Sequence, residues 1–295
     1  MKHSSRTFKT VLLALAWAFV NSAVFAEEAP KDPAKEPSKE PAKTETVDKK
    51  EAEKLIELTQ NREELIMPGM KILVKKGYID VDAKICLSEG LLELIACTKD
   101  SKEHESMIAI DAKAAHVHAA LLLIGAVPGN PAMRKEVQTE DGPRWVDIPP
   151  RGQEIDVYLV FNNEEGNPEE HPIKNFLIKG LDESYDGVPV ERDEKEDRAF
   201  PTHTFLFVGS HVFKDGEKDP IYLADESGNV ISLSTFGDEL LALPGVHEHA
   251  NEALAWAVNA KTVPPLNTKV ILRLKPKKPA AAEEPKKPAA EEPKK

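Results

Sequence analysis

Two segments of repetitive charged composition limit which part of this chain can build a hydrophobic core. Residues 27–54 mix Lys, Glu, Pro and Ala, and residues 275–295 repeat the same four residue types. Such segments bury too little apolar surface to offset the conformational entropy that folding removes. We therefore expect both segments to be disordered spacers and residues 55–274 to form one globular domain.

The first 26 residues have the organisation of a secretory signal. Lys2, Arg6 and Lys9 precede an apolar run over residues 10–20, and small residues lead up to Ala26. This order predicts cleavage after Ala26 and export to the periplasm or the extracellular space. Because the apolar run is shorter than the roughly 20 residues that cross a bilayer, we expect no transmembrane segment after cleavage.

The charge of the domain restricts its partners. The whole chain carries −12, to which the signal, the linker and the tail contribute +3, −2 and +3, leaving −16 for residues 55–274. A domain this acidic repels nucleic acid and anionic membrane surfaces, so neither is an expected partner. Cations, a small ligand or an envelope protein remain as expected partners.

Short segments of alternating apolar and polar residues dominate the domain. Residues 154–161 and 270–274 alternate in this way, which is typical of strands with one buried face. Residues 84–87 and 91–97 flank the turn sequence Ser-Glu-Gly at 88–90, which predicts a tight β-hairpin. Strands joined by hairpins favour an antiparallel, twisted sheet.

Helices are expected at three places. The apolar stretch after Asp111 predicts a largely buried helix that ends at Gly125, and shorter helices are expected within residues 46–66 and 251–258. The predicted fold class is therefore α+β: β-rich antiparallel twisted sheets with two or three helices, flanked by disordered tails.

The two cysteines leave three interpretations open. An even number of cysteines in an exported protein suggests a disulfide between Cys86 and Cys97. On the predicted hairpin, however, Cys97 lies about 13 Å along the strand from the position opposite Cys86. A disulfide requires Cα atoms within about 7 Å. A bridge in another register, two buried thiols and a reactive thiol are the alternatives.

The densest group of chemistry-bearing side chains lies between residues 93 and 118. Glu93 stands in an apolar run, where an ionised carboxylate needs a partner, and the polar turn at residues 103–106 follows. We expect Glu93, Cys97, His104 and Glu105 to form a ligand-binding pocket. The alternative places Glu93 on an exposed face, with the histidines scattered.

A divalent metal is a second possibility for this group. The candidate ligands are imidazole and carboxylate side chains, namely His104, Glu105, His116 and His118. His116 and His118 point about 200° apart on a helix, so we expect only one of them to join His104. The sequence contains no complete catalytic or cofactor motif.

Four stretches resemble the YdjY-domain family of bacterial proteins. They are KICLSEGLLELIACTKDSKEHESMIAID at 84–111, AAHVHAALLLIGAVPG at 114–129, FVGS at 207–210 and YLADESGNVISLSTF at 222–236. The resemblance covers roughly residues 71–274 and implies an exported or envelope-associated domain whose biochemical role is unassigned. The hallmark positions that it implies are Cys86, Glu93, Cys97, His104, Glu105, Ser106, His116, His118 and Gly125. Some family members carry iron–sulfur modules, but two cysteines cannot supply the four thiolates of a cluster.

Three functions fit these observations. The first is a noncatalytic envelope module that binds a partner or a small ligand, and the spacers, the acidity and the missing catalytic motifs favour it. The second is a metal- or thiol-dependent enzyme centred on residues 103–106 with His116 or His118. The third is a purely structural exported protein.

Overall fold

The structure is a computed structural model that describes residues 62–139, 142–180, 199–214, 216, 219–245 and 256–278. Its strands are β1 Leu65–Met67, β2 Met70–Leu73, β3 Tyr78–Ile85, β4 Leu94–Thr98, β5 Ser106–Ile110, β6 Met133–Thr139, β7 Gly142–Ile148, β8 Gln153–Asn162, β9 Pro168–Pro172, β10 Leu177–Lys179, β11 Thr204–Phe207, β12 Val212–Phe213, β13 Ile221–Tyr222, β14 Asn229–Ser232, β15 Leu241–Ala242, β16 Trp256–Val258 and β17 Lys269–Pro276. Its helices are α1 Ala114–Leu123, α2 Leu223–Ser227 and a 3₁₀ helix, Ile173–Phe176.

Eight of these strands close into a barrel. They follow one another in the order β3, β17, β8, β11, β15, β14, β4 and β5, and β5 returns to pair with β3. The predicted α+β fold class with antiparallel twisted sheets is therefore wrong, because the described elements are mostly strands and eight of these strands form a closed β-barrel. Two neighbouring pairs, β4 with β5 and β14 with β15, are also parallel rather than antiparallel. The strand pairs that close the barrel join segments that are far apart in the sequence, and local sequence patterns give no information about such pairs.

The barrel interior is filled by alternate residues of its strands. In β17, Val270, Leu272 and Leu274 are buried while the residues between them are partly exposed. The same alternation in β3 and β8 turns one residue in two toward the core. Full burial of such side chains stabilises the fold by about 1.5–3 kcal/mol each. The predicted strands at 154–161 and 270–274 are thus confirmed.

The predicted hairpin over residues 84–97 is wrong. β5 lies between β3 and β4, because Ile85 pairs with Ile108 on one edge of β5 and Ala96 pairs with the same residue on the other. The segment between β3 and β4 therefore passes over β5 instead of turning back beside β3. The Ser-Glu-Gly sequence at 88–90 forms a bend in this connection and not the turn of a β-hairpin.

The helix predicted after Asp111 is confirmed as α1. It is largely buried, and Gly125, at a φ of +86°, adopts the left-handed conformation that ends it. Its first residue is Ala114, so Lys113 rather than Asp111 stands at the N-cap position. Of the helix predicted at 251–258, residues 256–258 form β16 instead, and the remainder lies outside the described residues.

The predictions for the two ends also fall largely outside the described residues. These are the signal, the linker, most of the helix within 46–66, and the tail after residue 278. At the end of that first predicted helix, residues 65–66 belong to β1. In the part of the chain that the structure places, no helix is long and apolar enough to cross a membrane.

Candidate functional site

The parallel pairing of β4 and β5 brings Glu93 and Glu105 together. The backbone N–H groups of Glu93 and Leu94 both donate to the Glu105 carbonyl oxygen, at 3.1 and 3.2 Å. The two carboxyl side chains lie close enough to interact. Burial and the charge of Glu105 raise the pKa of Glu93, while Lys102 and His104 act in the opposite direction. Glu93 therefore holds a proton more readily than an isolated carboxylate does.

His104 and Lys102 complete this group at the protein surface. Lys102 Nζ lies 3.3 Å from Glu105 Oε1, and His104 Nε2 lies 3.7 Å from Glu105 Oε2. The His104 side chain is 78% exposed, so water competes for its contacts. Glu103 turns away and pairs with Lys84 at 3.1 Å. The structure thus gathers Glu93, His104 and Glu105 into a solvated charge network.

His116 and His118 contact a different part of the molecule. His118 is buried, and its Nδ1 lies 2.8 Å from the Tyr222 hydroxyl. His116 is half-buried and acts electrostatically on Asp225, at the start of α2. Among the described residues, no group of three His, Cys, Asp or Glu side chains is arranged to hold a metal ion. The His118 ring instead contacts Phe207 and Tyr222.

Three of the distinctive sequence stretches meet around His118. The Tyr222 hydroxyl donates a hydrogen bond to the Gly209 carbonyl oxygen at 2.8 Å. Its oxygen can therefore accept a hydrogen bond from the N–H at His118 Nδ1. The His118 ring packs edge-on against Phe207. Sequence reasoning missed Tyr222 and Phe207 as partners of His118, although the stretches 207–210 and 222–236 carried the signal.

Ser210 anchors this junction through its backbone and its hydroxyl. Its φ of +54° is unusual for a residue other than glycine. Its hydroxyl donates to the Asp238 carbonyl oxygen and accepts the N–H of Ala224, in the first turn of α2, at 3.1 Å. Both functions of the hydroxyl are engaged within the fold, so its observed role is to hold the start of α2 to the segment around Asp238.

Burial keeps the His118 ring neutral. Its Nε2 atom is buried without a hydrogen-bond partner. Desolvation lowers the pKa of His118 to about 4, against a smaller opposing contribution from a hydrogen bond to Gly209. Charging this ring would place a cation among Phe207, Tyr222 and the core, which is costly.

We expect the stability of the protein to fall as the pH decreases from about 6.5 toward 4. In this range the unfolded chain protonates His118 and the folded chain does not, so protons favour unfolding by up to about 1.4 kcal/mol per pH unit. His118→Asn removes this titration and keeps an N–H near the Nδ1 position. Urea unfolding at pH 6.5 and 5 should show the wild type losing about 1.6 kcal/mol more than the variant. Equal slopes in the two proteins would contradict this role for His118.

Cys86 directly follows β3 and Cys97 lies in β4, yet the two thiols lie close enough to affect each other's ionisation. Both are free; the neighbouring Cys86 lowers the pKa of Cys97 to about 7, and Cys97 together with burial raises the pKa of Cys86. The Cys86 thiol also lies 3.0 Å from the Ser106 carbonyl oxygen. Cys97 is fully buried and Cys86 is half-buried. The hairpin argument missed this proximity because it placed the two residues on paired strands in the wrong register.

A β-ribbon formed by β6 and β7 projects from the domain. The two strands pair with each other and with no other described strand. Nearly every residue of the ribbon is exposed, including Trp145 at 64%. The dipeptide Asp141-Gly142 was the available sequence signal for this hairpin.

Comparisons with known proteins identify a family without an assigned activity. The family model described as the YdjY domain matches residues 70–275. No curated protein matches the chain. No solved structure matches it either.

Proposed function

The chain belongs to the YdjY domain family, and we propose that it acts as an exported, noncatalytic interaction module of the cell envelope whose contact element is the β6–β7 ribbon. The secretory signal at residues 1–26 supports a periplasmic or extracellular location. The charged, proline-containing composition of residues 27–54 and 279–295 supports extended spacers on both sides of the domain. The main support for a binding role is the exposure of the β6–β7 ribbon.

A two-stranded ribbon of this kind is marginal in water by itself. It has seven paired positions, from Met133 opposite Ile148 to Thr139 opposite Gly142. Isolated two-stranded hairpins are at best marginally stable, because they lack a third strand or a packed face. Its outer strand edges also offer unpaired backbone groups to another chain. Contact with a partner would supply both the missing face and the missing hydrogen bonds.

The two faces of the ribbon differ in charge. One face carries Lys135 opposite Val146 and Val137 opposite Arg144, and no carboxylate among its described residues. Val137 and Val146 are 40% and 44% exposed. Neither cation on this face forms an ion pair with a described residue. This basic and apolar face complements an acidic protein surface with exposed aliphatic side chains, and we assign it that partner.

Photo-crosslinking in the producing cells tests this proposal. The full-length chain would carry a photoreactive residue at Val137, and a matched control would carry it at Ile66, which is 74% exposed on β1. We expect irradiation at position 137 to yield an adduct with another polypeptide in the envelope fraction, and position 66 to yield none. Mass spectrometry should identify an acidic protein and a mature chain beginning at Glu27.

Charge reversal distinguishes a specific contact from chance capture. K135E combined with R144E should abolish the adduct and weaken binding of the purified partner at least about tenfold, since like charges then face each other. Circular dichroism should show the variant folded. An adduct with a second copy of this chain, an adduct unaffected by charge reversal, or no adduct at position 137 would each overturn the proposal.

A further inference from the structure

A groove of about 650 Å³ lies on the outer face of the barrel, where β3, β17 and β8 run side by side. Its lining includes Val160 of β8 and Ile271 of β17, which pair with each other and form an aliphatic strip. Both belong to the outer face, because the next pair along these strands, Leu159 and Leu272, is buried in the core. The groove has the size of a small-molecule site, roughly 300–1,000 Å³, and the aliphatic strip is a surface that a ligand can cover.

Lysines gather at one end of the groove. Lys84 of β3 stands directly opposite Lys269 of β17, and like charges in this arrangement destabilise a sheet. Lys84 pairs with Glu103 at 3.1 Å, whereas Lys269 has no ion-pair partner among the described residues. Lys99 also lines the groove and acts electrostatically on the same Glu103 carboxylate. This end of the groove therefore carries excess positive charge.

Two carboxylates gather at the other end. Asp82 lies two positions before Lys84 and opposite Ile271. The Asp111 N–H donates to the Asp82 carbonyl oxygen at 2.9 Å, so the two aspartates are neighbours. Both side chains are exposed and line the groove, and neither forms an ion pair with a described residue. Two residues of a strand span about 6.6 Å, which sets the distance between this negative end and the Lys84–Lys269 pair.

This segregation of charge favours a ligand with one positive and one negative end. Each end of the groove holds like charges that repel each other, so a group of opposite charge relieves the repulsion there. A lone anion would leave both carboxylates unpaired, and a lone cation would leave the lysines unpaired. An extended dipeptide places its two charged termini about 6–7 Å apart, since each residue spans about 3.3–3.6 Å. This length matches the distance between the two ends of the groove.

We infer that the groove binds a dipeptide through its two free termini. Lys84 and Lys269 bind the terminal carboxylate, and Asp82 and Asp111 bind the terminal ammonium group. Aliphatic side chains of the dipeptide cover the aliphatic strip between these two pairs. The described lining of the groove includes no residue of the β6–β7 ribbon, so this inference and the proposed function can fail independently.

Isothermal titration calorimetry of the purified full chain with the dipeptide Leu-Leu tests the inference. We expect one dipeptide bound per chain, with a Kd at or below about 1 mM. N-acetyl-Leu-Leu lacks the ammonium group and Leu-Leu amide lacks the carboxylate, so each should bind at least about tenfold more weakly. Gly-Gly keeps both termini but lacks the aliphatic side chains, and it should also bind at least about tenfold more weakly.

Variants at the two ends of the groove assign each terminus to its partners. Lys269→Met should reduce the preference for Leu-Leu over its amide to less than about threefold, and Asp82→Asn should do the same for the preference over the acetylated form. Lys76→Met is the matched control: Lys76 is an exposed lysine in the turn between β2 and β3, outside the groove, so both preferences should remain. Circular dichroism should show all three variants folded; where one is not, Lys269→Gln or Asp82→Ser takes its place.

Three outcomes would overturn the inference. The first is no binding of Leu-Leu below about 10 mM. The second is equal binding of Leu-Leu and either blocked form by the wild type, which would reduce the groove to a site for a single charge. The third is that both preferences persist unchanged in the Lys269 and Asp82 variants, which would place the bound dipeptide elsewhere on the protein.

Discussion

Replacing Gly152 by alanine is expected to lower the free energy of unfolding by at least about 3 kcal/mol. A Cβ atom at this position would overlap the carbonyl oxygen of Phe207, which belongs to the backbone of β11 and cannot rotate away. That oxygen already accepts the N–H of Gly129 at 2.9 Å. Three backbone segments therefore cross where β8 begins to pair with β11, and relieving the overlap would separate two strands of the closed barrel.

Urea unfolding followed by circular dichroism measures this effect. Gly166→Ala is the matched control, because a Cβ atom there meets nothing within 4 Å, although its φ of +83° disfavours alanine. The control should lose only about 1 kcal/mol, the usual cost of a side chain in that conformation. A loss at Gly152 no larger than at Gly166 would show that the crossing can relax and is not a fixed point of the barrel.

Strands with one buried face were predictable because their signal is local. The alternation over residues 154–161 and 270–274 reports which side chains face the core, and β8 and β17 follow it closely. Helix α1 was predictable for the same reason, since its apolar composition and Gly125 lie within one short stretch. These patterns specify the elements but not their neighbours.

Closure of the barrel was not predictable from such patterns. It depends on β5 entering between β3 and β4, and on β14 pairing with β4 across more than 100 residues. A buried strand of five apolar or small residues, such as β5, presents the same pattern whichever strands flank it. The nearby turn sequence at 88–90 therefore suggested a hairpin that the longer-range pairing excludes.

The candidate site likewise contains some contacts between residues close in sequence and others between residues far apart. Glu93, His104 and Glu105 lie close together because the connection after β4 returns the chain to the start of that strand, where β5 begins parallel to it; chain order was sufficient to suggest their grouping. The partners of His118 come from residues 207–210 and from Tyr222, about a hundred positions away. Only the fold could place them there.

Replacing Arg273 by methionine is expected to destabilise the barrel by about 3 kcal/mol. Arg273 lies in β17, and its guanidinium binds both carboxylate oxygens of Asp80 in β3, at 2.6 and 2.7 Å. It also binds Glu170 in β9 at 2.9 Å and lies over the Tyr78 ring. The Arg273 side chain is only 19% exposed, so its loss leaves the largely buried Asp80 carboxylate without its two-pronged partner and leaves Glu170 with Lys275 alone.

This loss should depend on pH in a defined direction. Burial raises the pKa of Glu170, but the hydrogen bonds from Lys275 and Arg273 outweigh it, so the pKa lies below its ordinary value of 4.5. A carboxyl with a lowered folded pKa stabilises the protein above its unfolded pKa, and this stabilisation disappears as the pH falls through the folded value. The difference between wild type and Arg273→Met should therefore be largest above about pH 5 and shrink below 4.5.

Arg134→Met is the control that shows whether the loss of stability depends on burial of the ion pair or only on its presence. Arg134 Nε lies 2.8 Å from Asp147 Oδ1 on the β6–β7 ribbon, a separation close to those around Arg273, but both side chains are more than half exposed. Solvent screening reduces such a pair to about 0.5 kcal/mol, so unfolding of this variant should be nearly unchanged. Equal losses in the two variants would mean that removal of an arginine, rather than the desolvated contact among β3, β17 and β9, determines the effect. A large loss for Arg273→Met alone would show that this buried ion-pair network stabilises the side of the barrel where β3 and β17 pair.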